Sequence, residues 1–388
     1  MTTDGRAPRL TSPVGAVSRV RLPLVALALL ALLAAMWGGL LRLGWNFPPL
    51  DPILSGVHGP LMVSGFLGTV ISLERAVALR ARWAYMSPVA SALGALVLIT
   101  GLSTAGGAVL VTLGSVGMLA IFTFIVRRQP ALFTYTMALG AAMWLAGNLI
   151  WLAGFPLYHV ALWWSGFLIL TIVGERLELS RLQHLARSSE WLYLAAVALL
   201  SAGLVVDAVE GIAFPYAGPG LGFRIAGAGM LGLALWLLRY DIARRTVRQA
   251  GLTRFIALCL LLGYVWLGIG GLIRLSSPDL SSSNMNDALL HTVFLGFVMS
   301  MIFGHAPIIL PAVLQRSMPY SSAFYFHLAL LHLSLALRVS GDLAGALQLR
   351  QWGGLLNVVA ILLFLFTSAR ALLAASANKP ARLSLARD

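Results

Sequence analysis

Histidine is the residue type in this chain whose number and placement point to ligand chemistry. The sequence has seven histidines, and six fall inside or at the ends of long apolar stretches. They are His58, His159, His291, His305, His327 and His332. Neutral imidazole is a common metal ligand, and two imidazoles from different helices complete the coordination of a haem iron. Because a histidine facing hydrocarbon is costly, these six are candidate haem or metal ligands, and the alternative for each is donation to a carbonyl of a neighbouring helix.

Cysteine adds no further ligand chemistry. The single cysteine, Cys259, lies inside an apolar run, so the chain can form neither an internal disulfide nor a thiolate metal cluster. The sequence contains no Cys-x-x-Cys-His motif for covalent attachment of a haem. Any haem would therefore be non-covalent and held by histidine.

The composition indicates which elements must position these histidines. Of the 388 residues, 59% are hydrophobic and 10% are charged, and the mean hydropathy is +0.89. Soluble domains carry about 25% charged residues, so the sequence predicts an all-α integral membrane protein in contact with the lipid bilayer. The net charge of +14 is scattered over short loops, and nucleic acid is therefore not an expected partner.

Twelve apolar stretches are long enough to cross a bilayer as helices, and we number them as spans 1 to 12. They lie at 22–43, 55–76, 85–103, 107–126, 131–153, 157–177, 191–207, 221–239, 254–275, 287–311, 321–341 and 352–372. The first is too long for a signal peptide and lacks a convincing cleavage site, so we expect it to be retained. The sequence thus predicts an N-terminal tail at 1–21, one membrane domain at 22–372 and a C-terminal tail at 373–388.

The basic residues orient these spans. With the N-terminus in the cytoplasm, 22 of the 27 lysines and arginines lie on the inner side. The five on the outer side are Arg42, Arg224, Arg274, Arg338 and Arg350. This split follows the positive-inside rule and predicts a bacterial inner-membrane protein with both termini in the cytoplasm.

An internal repeat relates spans 2 and 6. Residues 58–75 align without a gap on residues 159–176, at a shift of 101 residues, and nine of the eighteen pairs are identical. The repeating unit is therefore four helices, and the same Gly-Phe pair recurs in span 10 at 296–297. That alignment leaves His291 two residues out of register with His58. The predicted units are 22–126, 131–239 and 254–372.

Three four-helix units with a histidine near the outer end of each second helix resemble the catalytic subunit of the haem-copper oxidases. Within that superfamily the chain looks most like the NnrS family of haem- and copper-containing membrane proteins associated with nitric oxide stress. The resemblance covers most of the chain in topology and is specific only around His58, His159 and residues 291–310. It implies three quasi-equivalent four-helix units arranged as in the oxidases. Duplicated units of this kind also occur in transporters, where a Ser-Gly-Phe serves close helix packing.

His58 and His291 are the pair that we expect to coordinate one b-type haem in the outer leaflet, because each lies a few residues inside the outer end of its helix. The resemblance supports this pair, since the superfamily holds its low-spin haem between spans 2 and 10. It also implies a copper-ligand position for His159. The chain departs from the oxidases in that span 7 has no histidine and span 10 lacks the second nearby histidine. Oxygen reduction coupled to proton pumping is therefore not expected.

Outer arginines are the candidate partners of the anionic haem propionates, because the planar guanidinium suits a carboxylate. Arg338 and Arg350 flank the loop between spans 11 and 12, a region that supplies such arginines in the resembled superfamily. Arg274, at the end of span 9, is a third candidate. The alternative for all three is interfacial anchoring.

The remaining intramembrane histidines cannot share the outer site. His305 follows His291 by 14 residues, or about 21 Å along a helix. His327 and His332 are about 7.5 Å apart in rise and roughly 140° apart around one helix, so they serve different partners. In the inner half, these three are candidates for a second haem or metal.

Two further features have more than one interpretation. Glu74-Arg75 and Glu175-Arg176 end their spans at the inner face. These pairs either mark the interface or point inward, as a proton entry or as a salt bridge to the arginine of the other copy. In span 10, Pro307 and Pro311 predict a kink, which a transporter would also use.

Two classes of function follow from these residues. The first is a haem-binding protein of NnrS type, with copper as a second candidate cofactor. It would take a small diatomic gas as ligand and receive electrons from a donor that the sequence does not identify. The second is a polytopic transporter that uses span 10 and the intramembrane histidines. A third possibility is a protein of the same fold that serves in assembly or haem handling without catalysis. The sequence does not identify catalytic residues.

Overall fold

The computed structural model describes residues 14–48, 53–180, 186–213, 220–276 and 283–377. Within these ranges all regular structure is helical, and twelve helices are long and apolar enough to cross a membrane. Their bounds are Val20–Arg42, His58–Leu79, Arg82–Ile99, Thr104–Arg128, Leu132–Leu152, Leu157–Ser180, Arg187–Ala213, Leu221–Tyr240, Gly251–Ser276, Asn284–Leu314, Phe324–Ala344 and Leu347–Ala374. The twelve expected spans are thus confirmed, with ends that differ by a few residues. A helix satisfies its own backbone hydrogen bonds, which hydrocarbon requires.

Span 10 occupies a central place in the bundle. Each span packs against the next one along the chain, and the last span returns to contact the first. Span 10 also contacts spans 1, 2 and 6. It is among the most buried spans, with 67% of its most apolar window inside the protein, so its side chains are well placed to form an internal site.

The repeated glycine has the same surroundings in each copy. A Cβ at Gly65 in span 2 would meet Ala31 of span 1 and Ala95 of span 3. One at Gly166 in span 6 would meet side chains of spans 5 and 7, and one at Gly296 in span 10 would meet side chains of spans 9 and 11. In every copy, therefore, the absent side chain lets the second helix lie close to the helices before and after it.

Spans 2 and 10 share a departure from α-helical geometry. Residues Leu61–Gly68 and Thr292–Met299 are π-helical, and each segment begins within three residues of a histidine, His58 or His291. Span 6 is α-helical from Leu157 to Ser180. Segments of π-helix are rare and occur frequently at functional sites, so this feature sets spans 2 and 10 apart from the middle copy.

Ion pairs join the spans near the predicted inner face. Arg75 pairs with Glu175 of the other repeat copy, which realises one of the alternatives expected for these residues. Arg176 does not pair with Glu74. It donates instead to Asp241, through Nε at 2.8 Å and Nη2 at 3.3 Å. Both members of that second pair are buried, so it ties span 6 to the end of span 8.

The prolines of span 10 lie within a continuous helix. Residues Ser300–Leu314 stay helical through both Pro307 and Pro311. The irregular backbone of this span is instead the π-helical segment eight residues long that precedes them.

Candidate cofactor site

A cavity opens among spans 1, 2, 6, 10, 11 and 12. Its volume, measured as the space open to the centres of water-sized spheres, is about 180 Å³, and the space free of protein atoms is about 1300 Å³ when open solvent is included. Charged residues from the predicted outer ends of the spans line one part of it. Further along the same spans the lining is apolar and includes Phe66, Trp164, Phe294 and Met299. Such a cavity suits a ligand with an apolar body and a charged end.

His58 lines this cavity, and its ring is held from span 1. Nδ1 lies 2.6 Å from the carbonyl oxygen of Ala35. A carbonyl can only accept, so Nδ1 carries the proton and Nε2 keeps its lone pair. Gly39 makes room for the ring, since a Cβ there would lie 2.9 Å from Cε1 of His58.

His291 lines the same cavity in a matching state. Its Nδ1 lies 2.7 Å from the carbonyl oxygen of Asp287, one turn earlier in span 10. The proton is therefore again on Nδ1, and Nε2 again keeps a lone pair. His58 and His291 thus belong to the lining of one cavity. The structure thus brings the predicted pair together, each with an unprotonated ring nitrogen.

A cluster of charges stands beside His291. Arg338 donates to Oδ2 of Asp287 through Nη2 at 2.8 Å and Nε at 3.2 Å. Arg350 lies 2.8 Å from Oδ1 of Asp342 and donates to Asn284 at 3.0 Å. Both arginines line the cavity, so the structure brings these two predicted residues to the site.

Arg274 lies elsewhere. It is fully buried, donates from Nε to the carbonyl oxygen of Phe223 at 2.9 Å and covers the ring of that residue. Its Nη2 is 3.9 Å from Oδ2 of Asp207. Arg274 does not line the cavity of His58 and His291, because its side chain points toward the middle repeat unit, and the prediction that it would join this site is not met in the geometry.

His159 also faces away from the cavity, although its neighbour Tyr158 lines it. Its ring packs against that of Tyr158, with 4.2 Å between centroids and a tilt of 40°. The ring also lies near Gly211 of span 7, where a Cβ would be 3.2 Å from Cε1. Within the described ranges, no group of three or more His, Cys, Asp or Glu residues could hold a metal ion. Among those residues, His159, the expected copper ligand, is therefore not part of such a group.

The inner histidines have separate partners. His305 places Nδ1 2.7 Å from the carbonyl oxygen of Met301. His327 is enclosed by phenylalanines and lies 3.2 Å from the hydroxyl of Thr367. These two do not come together with the third inner histidine to form one site.

His332 is the third inner histidine, and both of its ring nitrogens are engaged. Its Nδ1 accepts from Nε1 of Trp266 at 2.9 Å, and its Nε2 lies 3.3 Å from the hydroxyl of Ser300. Because Nδ1 accepts, Nε2 carries the proton and has no lone pair for a metal.

Sequence reasoning missed two residues of the site. Asp287 contacts both His291 and Arg338, and its signal was the spacing of four residues before a ligand histidine, which puts the two side chains on one helix face. Arg42 lines the cavity as well. It was among the five outer arginines, but only the tertiary structure separates it from Arg224 and Arg274.

Comparison with known proteins gives a family and no function. The model of the family described as "Domain of unknown function (DUF8744)" matches residues 21–373. None of the curated proteins and none of the solved structures matches the chain.

Proposed function

We propose that this chain, which belongs to the DUF8744 family, is a haem-binding membrane protein that holds one b-type haem between His58 and His291. The observation that carries the proposal is the state of these two rings. Both line one cavity, and both use Nδ1 toward a carbonyl oxygen, which leaves Nε2 available. Histidines that bind metals commonly donate their other ring nitrogen in this way, because the bond fixes the tautomer and the ring orientation.

The remaining lining fits the parts of a haem. Aromatic and methionine side chains offer an apolar surface for the macrocycle. Three cations, Arg42, Arg338 and Arg350, and one carboxylate, Asp287, line the charged part of the cavity. Arg338 pairs with Asp287, and Arg350 pairs with Asp342. The excess of positive charge favours an anionic edge such as a pair of propionates. When bound, the haem would supply one-electron redox chemistry.

The equivalent surroundings of Gly65, Gly166 and Gly296 support three quasi-equivalent four-helix units, as in the resembled oxidases. If His58 and His291 both hold the haem, electron transfer is the chemistry that the site would support best. A function of NnrS type toward nitric oxide or another diatomic, in the bacterial inner membrane, extends the same proposal. It would require that His58 or His291 release the haem.

Purification of the parent protein in detergent tests the proposal. We expect a Soret band with sharp bands in the reduced state, and pyridine haemochrome analysis is expected to give one b-type haem per chain. His58→Ala and His291→Ala should each abolish the six-coordinate low-spin spectrum. His332→Ala is the matched control, because its ring nitrogens are engaged by Trp266 and Ser300, and it should keep the parent spectrum.

A colourless parent protein would contradict the proposal, as would two variants with the parent spectrum. Copper analysis of the same preparation tests the expectation for His159. A transporter is the second candidate function, because the cavity is open at its mouth and combines charged with apolar lining. A colourless protein that takes up an anionic solute in proteoliposomes would favour the transporter.

A further inference from the structure

The two candidate axial histidines are held by unequal partners. Nδ1 of His58 meets the neutral carbonyl oxygen of Ala35. Nδ1 of His291 meets the carbonyl oxygen of Asp287 at 2.7 Å and also lies 3.4 Å from carboxylate Oδ1 of the same residue. Among the described residues, Nδ1 of His291 thus has a carboxylate oxygen beside it, whereas Nδ1 of His58 meets only a neutral carbonyl oxygen.

Asp287 is fixed where it stands. Oδ2 accepts from Nη2 of Arg338 at 2.8 Å, and Nε of Arg350 lies 3.7 Å from the same oxygen. Oδ1 is left to face His291. The carboxylate thus bridges the arginines and the imidazole with different oxygens, and its side chain is only 15% exposed. Low exposure limits screening by water, so the carboxylate and the two arginines paired with it all act on the ring.

We propose that Asp287 is a positioning residue that makes His291 the stronger of the two axial ligands and lowers the reduction potential of the haem. This rests on the proposed function. A negative charge near the ring stabilises positive charge on the imidazole and so raises the electron donation of Nε2. Stronger donation stabilises the ferric state more than the ferrous state, because the ferric iron carries the larger positive charge.

The variant Asp287→Asn distinguishes an effect of the carboxylate charge from a purely structural role of the side chain. Asparagine keeps the size of the side chain and the backbone carbonyl that accepts from Nδ1, but it removes the negative charge. We expect the variant to keep its haem and to show a higher midpoint potential in spectroelectrochemical titration. The expected change in the ratio of reduced to oxidised haem at a fixed potential is about tenfold, which is about 59 mV for a one-electron couple. The g-values of the ferric low-spin signal should shift as well, because they report donation by the axial imidazoles.

Asp342→Asn is the matched control. Asp342 is buried and belongs to the same charge cluster through Arg350, but its ion pair is with that arginine and not with His291. Removing the charge of Asp342 tests how the total charge of the cluster affects the reduction potential of the haem. We expect a smaller change in potential and unchanged g-values.

The strength of the two ligands can also be compared directly. His58→Ala should retain haem on His291 as a five-coordinate high-spin species, whereas His291→Ala should bind haem at least tenfold more weakly than His58→Ala. Equal retention in the two variants would contradict the inequality.

The outcomes distinguish this inference from the proposed function. If the parent protein contains haem and Asp287→Asn leaves both potential and g-values unchanged, or if Asp342→Asn moves them equally, the role of Asp287 is overturned while haem binding stands. If the parent binds no haem, both fail. Should Asp287→Asn lose its haem, Asp287→Glu, which restores the charge, must recover haem and low potential, and failure to do so overturns the role.

Discussion

At the scale of residues, hydrogen-bond partners separate histidines that the sequence makes equivalent. His58 and His291 both line the cavity, donate from Nδ1 to a carbonyl oxygen and keep a lone pair on Nε2. His332 accepts at Nδ1 from Trp266, so its Nε2 has no lone pair. The tautomer decides whether an imidazole can bind a metal, and the cavity separates His58 and His291 from His305, which has the same tautomer.

The arginines provide a test at the same scale. Arg338→Gln should lower haem affinity by about tenfold or more, because a charge-assisted hydrogen bond contributes about 1.5–3 kcal/mol. Arg274→Gln is the control, since Arg274 lies against Phe223 away from the cavity, and it should leave haem affinity unchanged. Haem titration of the stripped protein, followed at the Soret band, measures both. Equal losses in the two variants would contradict the assignment of Arg338 to the propionates.

At the scale of elements, close helix packing depends on glycines that recur with the four-helix repeat. Gly65, Gly166 and Gly296 each lie between the preceding and the following span. Because π-helical segments contain two of these glycines, in spans 2 and 10, the backbone irregularity and the close approach coincide. These two spans are the ones that carry His58 and His291.

Gly296→Ala should therefore destabilise the protein. The added Cβ would collide with Cβ and Cγ of Trp266 and lie 3.0 Å from Leu335, and overpacking of this kind costs about 1–3 kcal/mol. Gly56→Ala is the matched control, because a Cβ there meets nothing within 4 Å. Thermal unfolding in detergent should show a lower Tm for Gly296→Ala only. A parent-like Tm in that variant would mean that the helices can move apart at no cost.

At the scale of the whole molecule, the orientation in the membrane decides which compartment the cavity faces. The distribution of arginines predicts that the ends of the spans carrying Arg338 and Arg350 lie outside the cytoplasm. An electron donor or a gas ligand would then reach the site from that side.

Cysteine labelling checks this orientation, because Cys259 is buried and gives no background. Leu102 is 80% exposed in the turn between spans 3 and 4, and Gln249 is exposed in the loop between spans 8 and 9. We expect a membrane-impermeant maleimide, applied to spheroplasts, to label Leu102→Cys and not Gln249→Cys. The opposite pattern would invert the molecule and place the cavity mouth on the cytoplasmic side.

The sequence by itself determined the twelve spans, because hydrocarbon demands about 20 apolar residues in every crossing helix and this signal is local. It also predicted the pairing of His58 with His291, from the depth of each residue in its helix and from the resemblance, and both residues line one cavity.

Only the tertiary structure decided which side chains of similar depth share a site. Arg274, Arg338 and Arg350 are all outer arginines, yet only the last two line the cavity, and Asp287 joins them because it lies on the same helix face as His291. The rotation of each helix about its axis sets these contacts. That rotation is fixed by packing between distant segments, such as Gly296 against Trp266, and no local pattern of residues encodes it.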